Sequence, residues 1–324
     1  MPVPKAETRL PFSFQAADLG QTVATGNGHA VLVSYYASPL AQGRKQTYVL
    51  FVTNPTLQGN LQNIRWQVNN EDVTNQETVW EFTPADTGSF ELNVTLLDNS
   101  NVELETLTLT QVVAPVNQEL ENLIELDDAT HPVAGDPTTS REIINDLLVH
   151  LHDIADASSN EILNRLLFGI SYIEANDHDQ AARDRLIGQL RTHVNGGQAA
   201  NFFQDAAPGA GICRLRPEIL AMTIQSGASP LIPWELLPQD DAALQTALTR
   251  IRAALAALSE NHRIDLFNVL RFPKASLKAT KMIVDNIRAQ LFSNNSLETI
   301  MTNTANATSL LNHFKTGPLA PPTP

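Results

Sequence analysis

The sequence predicts a two-part protein, an all-β sandwich followed by an all-α helical bundle. From about residue 10 to residue 113, apolar and polar residues alternate at period two, and threonine, valine and aromatic residues dominate. In the later part, apolar residues recur at helical spacing and capping boxes mark helix starts. The 324 residues are enough for two domains, and a hydrophobic content of 43% is enough for a core in each.

The first part predicts short strands separated by clusters of Gly, Asn, Pro and Asp, an arrangement typical of a sandwich. The clearest alternation lies in Ser89–Leu97, where every second residue from Phe90 to Leu96 is apolar, so one face enters the core and the other meets water. The predicted strands are Arg9–Phe14, His29–Tyr36, Thr47–Thr53, Ile64–Asn69, Thr78–Phe82, Ser89–Leu97 and Val102–Val113.

A tryptophan and a tight corner narrow the type of sandwich. Trp66 lies in a central predicted strand, and the corner Asp86-Thr87-Gly88-Ser89-Phe90 leads into a later one. This combination resembles the immunoglobulin-like modules of bacterial and phage proteins, including the related PKD type, and implies that fold for residues 10–113. Phe90 lacks the hydroxyl of a tyrosine corner, and Leu92 stands where antibody-type domains carry a cysteine. The resemblance names no ligand.

The pattern changes at residues 114–117, Ala-Pro-Val-Asn, because a proline stops the strand alternation there. We expect the sandwich over residues 1–113, a linker over 114–117, a helical domain over 118–316 and an extended proline-rich tail over 317–324.

Capping boxes at Thr139, Ser158 and Asp177 predict helices that begin near residues 140, 159 and 178. Apolar stripes and a helix-starting proline predict the remaining helices of the bundle. These are Arg216–Ser226, Asp241–Leu258, Ile264–Leu270, Ala275–Phe292 and Ser296–Lys315.

The composition of the chain argues against nucleic-acid partners and membrane insertion. The net charge of −14 repels phosphate backbones and anionic lipid headgroups, so we expect no nucleic-acid partner. The sequence has neither an apolar run long enough to span a bilayer nor a signal-peptide pattern at its start, so we expect no membrane insertion and synthesis in the bacterial cytoplasm. A single cysteine excludes an intramolecular disulfide and fits a reducing compartment.

Cys213 is a candidate catalytic nucleophile. It follows a loop of small residues and comes just before Arg214 and Arg216, where the next helix is predicted to start. Cations and a helix N-terminus lower the pKa of a thiol. A buried, inert cysteine is the alternative, and no cysteine–histidine motif of a hydrolase accompanies it. Gly209 and Gly211 do not complete a phosphate-binding loop, so we expect no bound cofactor.

Two further groups of residues are candidates for chemistry. Glycoside hydrolysis needs two carboxyl groups about 5–10 Å apart. Glu218 and Glu235 are the candidate catalytic carboxylates for such a pair. The alternative for both is a structural role. Asp146, His150 and Asp153 fall at i, i+4 and i+7 on one face of a predicted helix and are candidate metal ligands. A solvated polar face is the alternative for these three.

The absence of an export signal contrasts with the extracellular role usual for bacterial immunoglobulin-like modules. One hypothesis reconciles them: a non-enzymatic interaction or structural protein, carried as a component or cargo of a phage-tail-like contractile injection system, with tube or sheath proteins as partners. The alternative is a toxin, effector or cell-wall hydrolase with catalysis in the helical domain and the sandwich as targeting module. A third is an intracellular scaffold. A deep polar pocket around the candidate residues favours the enzyme, and an apolar surface patch favours binding.

Overall fold

The structure of the protein is a computed structural model. It describes residues 16–24, 29–36, 38–43, 45–54, 61–73, 77–115, 161–176, 180–205, 209–225, 237–293 and 295–316. The chain divides into two compact units, Met1–Val149 with Phe272–Lys274, and His150–Arg271 with Ala275–Pro324. The described N-terminal part is an immunoglobulin-like β-sandwich and the described C-terminal part is helical, which confirms the predicted fold class.

The sandwich follows a short helix, α1 (Ala16–Leu19). Its strands are β1 (Gln21–Ala24), β2 (Ala30–Ser34), β3 (Leu40–Ala41), β4 (Gln46–Val52), β5 (Leu61–Val68), β6 (Glu71–Val73), β7 (Val79–Phe82), β8 (Gly88–Asp98) and β9 (Glu103–Ala114). One sheet has the order β1-β2-β4-β7, and the other has the order β3-β9-β8-β5-β6. The β3–β9 pair is parallel, and the other pairs of these named strands are antiparallel.

Aromatic side chains join the two sheets at the positions that the sequence marks. Trp66 on β5 is fully buried, its Nε1 donates to the Glu77 carbonyl at 2.9 Å, and its ring lies 5.8 Å from that of Trp80 on β7. Phe90 at the start of β8 is also buried, with its ring 5.3 Å from Phe82. The tryptophan and the aromatic corner therefore pack inside the sandwich, as expected for an immunoglobulin-like module.

A buried polar network accompanies this aromatic core. The Tyr48 hydroxyl donates to Gln111 Oε1 at 2.5 Å, and Gln111 Nε2 donates to Gln21 Oε1 at 3.1 Å and to the Tyr36 carbonyl at 3.2 Å. Burial raises the pKa of Tyr48, so the hydroxyl stays protonated and remains a donor. The network links β9 to the opposite sheet while satisfying groups that would be costly to bury alone.

Six predicted strands are confirmed within three residues of their bounds, and the seventh, Arg9–Phe14, lies outside the described residues. The prediction omitted β1, β3 and β6. Each has only two to four residues, too few for an alternation to stand out from the surrounding loops.

The helical unit contains capped, amphipathic elements. The described helices are α2 (Glu161–Asn176), α3 (Gln180–Gly196), α4 (Ala199–Asp205), α5 (Pro217–Gln225), α6 (Asp241–Leu255), α7 (Glu260–Arg271), α8 (Pro273–Leu291), α9 (Leu297–Thr302) and α10 (Thr304–Thr316). The starts predicted near 159 and 178 are confirmed as α2 and α3, and the start near 140 lies outside the described residues. Among the described helices, none combines the length and apolar character that crossing a membrane requires.

Two helix predictions are corrected. A single helix over Ser296–Lys315 is wrong, because Asn303 adopts an extended conformation and separates α9 from α10. Its Oδ1 accepts from the Asn306 N–H at 3.1 Å and so caps the second helix. The helix predicted over Ile264–Leu270 is longer in the structure, where it forms α7. The prediction was too short because some buried residues of α7 are polar, so they do not register as part of an apolar stripe. The domain boundaries around residues 114–117 and 317 stay predictions, since residues 116–160 and 317–324 lie outside the described part of the chain.

Candidate functional site

A tight glycine-containing loop precedes α5 and positions the candidate cysteine. Ala210 and Leu215 exchange backbone hydrogen bonds of 2.9 and 2.8 Å, which closes the loop into a small hairpin. Gly211 has a φ of 76°, and a Cβ at this position would lie 2.4 Å from the Leu270 carbonyl oxygen. Only glycine satisfies both conditions, so the loop packs closely against the end of α7.

Cys213 is turned into the helical core by this loop. Its side chain is fully buried, and its Sγ lies 3.0 Å from the Ser171 hydroxyl of α2. Burial raises the pKa of the thiol to about 11. The neighbouring Arg214 forms an ion pair with Glu174 at 3.2 Å, so its charge is compensated by a carboxylate. The arrangement is typical of the structural alternative for Cys213, a protonated thiol without solvent contact.

Glu218 lies in the first turn of α5 and is fully buried. Its Oε1 accepts from Arg252 on α6, from Nη2 at 3.0 Å and from Nε at 3.3 Å. Burial raises the pKa of this carboxyl, against the opposing effect of the Arg252 charge. The pair joins α5 to α6 inside the unit, which is a structural use of the carboxylate.

The remaining candidates cannot be placed with these two. Glu235, Asp146, His150 and Asp153 lie outside the described residues. Within the described ranges, no group of three His, Cys, Asp or Glu side chains has the arrangement of a metal site. Of the sequence-predicted residues, the structure therefore positions Cys213, in the loop before α5, and Glu218, in the first turn of α5.

A cleft opens beside these residues, within the helical unit. Its volume is about 520 Å³, in the range of small-molecule sites. Residues from α2, the loop before α5, α5, α6, α8 and α10 line it. Its charged and amide side chains include Glu174, Arg214, Arg216, Gln239, Asp241 and Lys315. Neither Cys213 nor Glu218 is among the described residues that line it.

The charges of the cleft differ from those of the chain. Arginine and lysine contribute three positive groups and the acidic side chains two negative ones, whereas the whole chain carries −14. The pair of Arg214 with Glu174 neutralises one group of each sign. This leaves Arg216 and Lys315 opposite Asp241, a small local excess of positive charge.

Two side chains beside the cleft hold each other in place. His313 Nδ1 lies 2.7 Å from the Ser309 carbonyl oxygen, which can only accept, so Nδ1 carries the proton. In the neutral ring, Nε2 then accepts from the Gln239 amide at 3.1 Å. This bond fixes the position of the Gln239 side chain at the cleft.

Sequence reasoning missed the cleft, although it singled out Arg214 and Arg216. Their sequence signal, two arginines closely following a cysteine, suggested activation of a thiol. The residues that give the cleft its shape and charge come from helices distant in sequence, such as Lys315 on α10 and Asp241 on α6. No local motif links these positions.

Comparisons with known proteins identify no family for this chain. No protein-family model matches the chain, and no curated protein matches it. Among solved structures, it is similar to a fibronectin(III)-like module of Clostridium thermocellum CbhA, with 14% sequence identity and a TM-score of 0.21. That similarity covers 25% of this chain and 92% of the module, and at this TM-score it supports no inference about function.

Proposed function

We propose that this protein is a non-enzymatic interaction or structural protein, made as a component or cargo of a phage-tail-like contractile injection system. Within the immunoglobulin-like class we assign its sandwich to the PKD type, on Trp66 and the corner from Asp86 to Phe90. The observation that supports a non-enzymatic role is the placement of Cys213 and Glu218, which are both fully buried and contact other side chains of the unit. A substrate would have no direct access to either group.

The charge of the chain specifies the kind of partner surface. Residues 1–113 carry 5 basic and 11 acidic residues, so the sandwich is itself acidic. An acidic module associates most readily with a basic protein face, and such association weakens as salt rises. We therefore propose a basic face on a tube or sheath protein as the docking partner.

Cross-linking tests this proposal. A carboxyl-reactive cross-linker suits the chain, because it has 35 acidic residues against 21 basic ones. The tagged full-length protein is incubated with particles from the producing cells and cross-linked, and the linked peptides are identified by mass spectrometry. We expect links from the sandwich to tube or sheath peptides, and fewer links when the salt concentration is raised before cross-linking. Links to no particle protein would contradict the proposal.

The polar cleft favours a second candidate function, catalysis by the helical unit on a cell-wall or other polar substrate. Glu174 and Asp241 are carboxylates that line it beside arginines. If this candidate is right, the purified protein releases reducing ends from peptidoglycan, and the Asp241→Asn variant loses that activity. Absence of release from the wild-type protein would contradict hydrolysis of this substrate.

A further inference from the structure

Arg216 has hydrogen-bonding capacity that the rest of the helical unit does not use. Arg216 lines the cleft, and its Nη1 is buried and makes no hydrogen bond within the described part of the chain. Buried donors of this kind are almost always paired, because an unpaired one loses its hydration without compensation. A ligand group that accepts a hydrogen bond would supply the missing partner.

The nearby carboxylates do not supply it. Glu174 pairs with Arg214, and Glu218 uses its Oε1 for Arg252. Glu218 and, more weakly, Asp241 attract Arg216 electrostatically, but neither accepts a hydrogen bond from its Nη1, and Lys315 adds a further positive charge at the cleft. An arginine with a neighbouring lysine is the usual protein arrangement for phosphate and carboxylate groups, the arginine giving directed bonds and the lysine a point charge.

Part of the lining of the cleft is apolar. Ile173 is exposed and Phe314 is half-buried, whereas Ile219, Leu244 and Ile283 also line the cleft but are almost fully buried. An apolar or aromatic part of a ligand would cover the accessible surface of Ile173 and Phe314, which an oxyanion alone would leave uncovered. Small-molecule sites typically combine polar anchors with apolar surface.

We propose that the cleft binds a small organic oxyanion, a phosphate or carboxylate held by Arg216 and Lys315, whose apolar part lies on Ile173 and Phe314. This site is independent of the docking role proposed for the sandwich. Failure of one proposal therefore leaves the other standing.

Titration calorimetry of the full-length protein tests the site. The probes are phenyl phosphate, benzoate and inorganic phosphate, with choline as a cation of similar size. We expect at least one aromatic anion to bind more tightly than inorganic phosphate, and choline not to bind. Phenyl phosphate and benzoate distinguish a phosphate from a carboxylate ligand. Absence of binding by all three anions at millimolar concentration would overturn the proposal.

Charge-removing variants locate the binding. Arg216→Gln should raise the dissociation constant about 10- to 100-fold, because it removes charge-assisted hydrogen bonds. Lys315→Gln should raise it about two- to fivefold, since Lys315 is exposed and its charge is screened. The matched control is Arg185→Gln, an exposed arginine of α3 in the same unit that should leave binding unchanged.

Circular dichroism checks that each variant folds. Lys315 lies at the exposed end of α10, so its variant keeps the test valid even if Arg216→Gln is destabilised. Equal affinity in the wild type, Arg216→Gln and Lys315→Gln would place the anion elsewhere and contradict the proposed site.

Discussion

The thiol of Cys213 should resist labelling in the folded protein. At pH 8, an ordinary cysteine with a pKa of about 8.5 is about one-quarter thiolate. A cysteine with a pKa of about 11 is about 0.1% thiolate at the same pH. The ratio of these thiolate fractions alone would make labelling of Cys213 about 200-fold slower than labelling of an ordinary cysteine. A more basic thiolate is also a better nucleophile, which raises the rate about tenfold. Ionisation alone therefore slows the reaction about 20-fold, and complete burial slows it further.

The assay is reaction with a chromogenic disulfide reagent, followed by absorbance. The chain has one cysteine, so the signal belongs to Cys213 alone. The control is the same protein unfolded in urea, which should release one equivalent at the full rate. A labelling rate in the folded protein within fivefold of the unfolded control would refute the inference that burial makes Cys213 inert. Cys213 would then again be a candidate nucleophile.

The raised pKa of Cys213 also predicts a pH dependence of stability. Because the folded-state pKa lies above the unfolded one, the stabilising effect is present below about pH 9 and is lost as the pH rises to about 11. This rise in pKa corresponds to a free energy of about 3 kcal/mol. Two substitutions test other parts of the unit: Glu218→Ala leaves Arg252 unpaired and should lower the free energy of unfolding by about 3–5 kcal/mol, against about 0.5 kcal/mol for Glu161→Ala in an exposed pair. Gly211→Ala should lower the melting temperature, because the added Cβ meets a carbonyl oxygen, whereas Gly188→Ala in open space on α3 should raise it.

Chemical denaturation measures the free energies of unfolding and thermal unfolding measures the melting temperatures, and each prediction has an outcome that would contradict it. For the pH dependence, the reference is Cys213→Ala, which lacks the thiol but keeps every other titrating group. Equal loss of stability in both proteins between pH 9 and 11 would contradict the raised pKa. If Glu218→Ala destabilises the protein no more than Glu161→Ala, the buried ion pair contributes little to stability. If Gly211→Ala lowers the melting temperature no more than Gly188→Ala, the close packing of the loop contributes little.

The sequence predicted the fold well where periodicity was strong. The alternation along β8 and the capping boxes before α2 and α3 were sufficient, because burial of one face and satisfaction of helix ends act locally. Secondary structure was predicted poorly where contacts with distant parts of the chain, rather than local sequence, determine whether a helix forms. Helix α4 was not expected, yet Phe202 and Phe203 are buried and Asp205 pairs with His193 of α3.

The candidate site was predictable only in part. The sequence marked the loop from Gly209 to Arg216 as unusual, because its glycines and arginines all lie in one short stretch. Its role was not predictable, because the burial of Cys213 and the pairing of Glu218 with Arg252 depend on helices far away in the sequence. Lys315 gives no local signal at all, and only the packing of α10 brings it to the cleft.

Sedimentation of the native protein tests most directly whether it works as part of a particle. Producing cells are lysed gently, particles are separated from free proteins on a density gradient, and the chain is located in the fractions by mass spectrometry. We predict that it bands with tube and sheath proteins and that high salt releases part of it, as expected for an acidic module on a basic face. Recovery of the protein only among free proteins at low salt would contradict the proposed role.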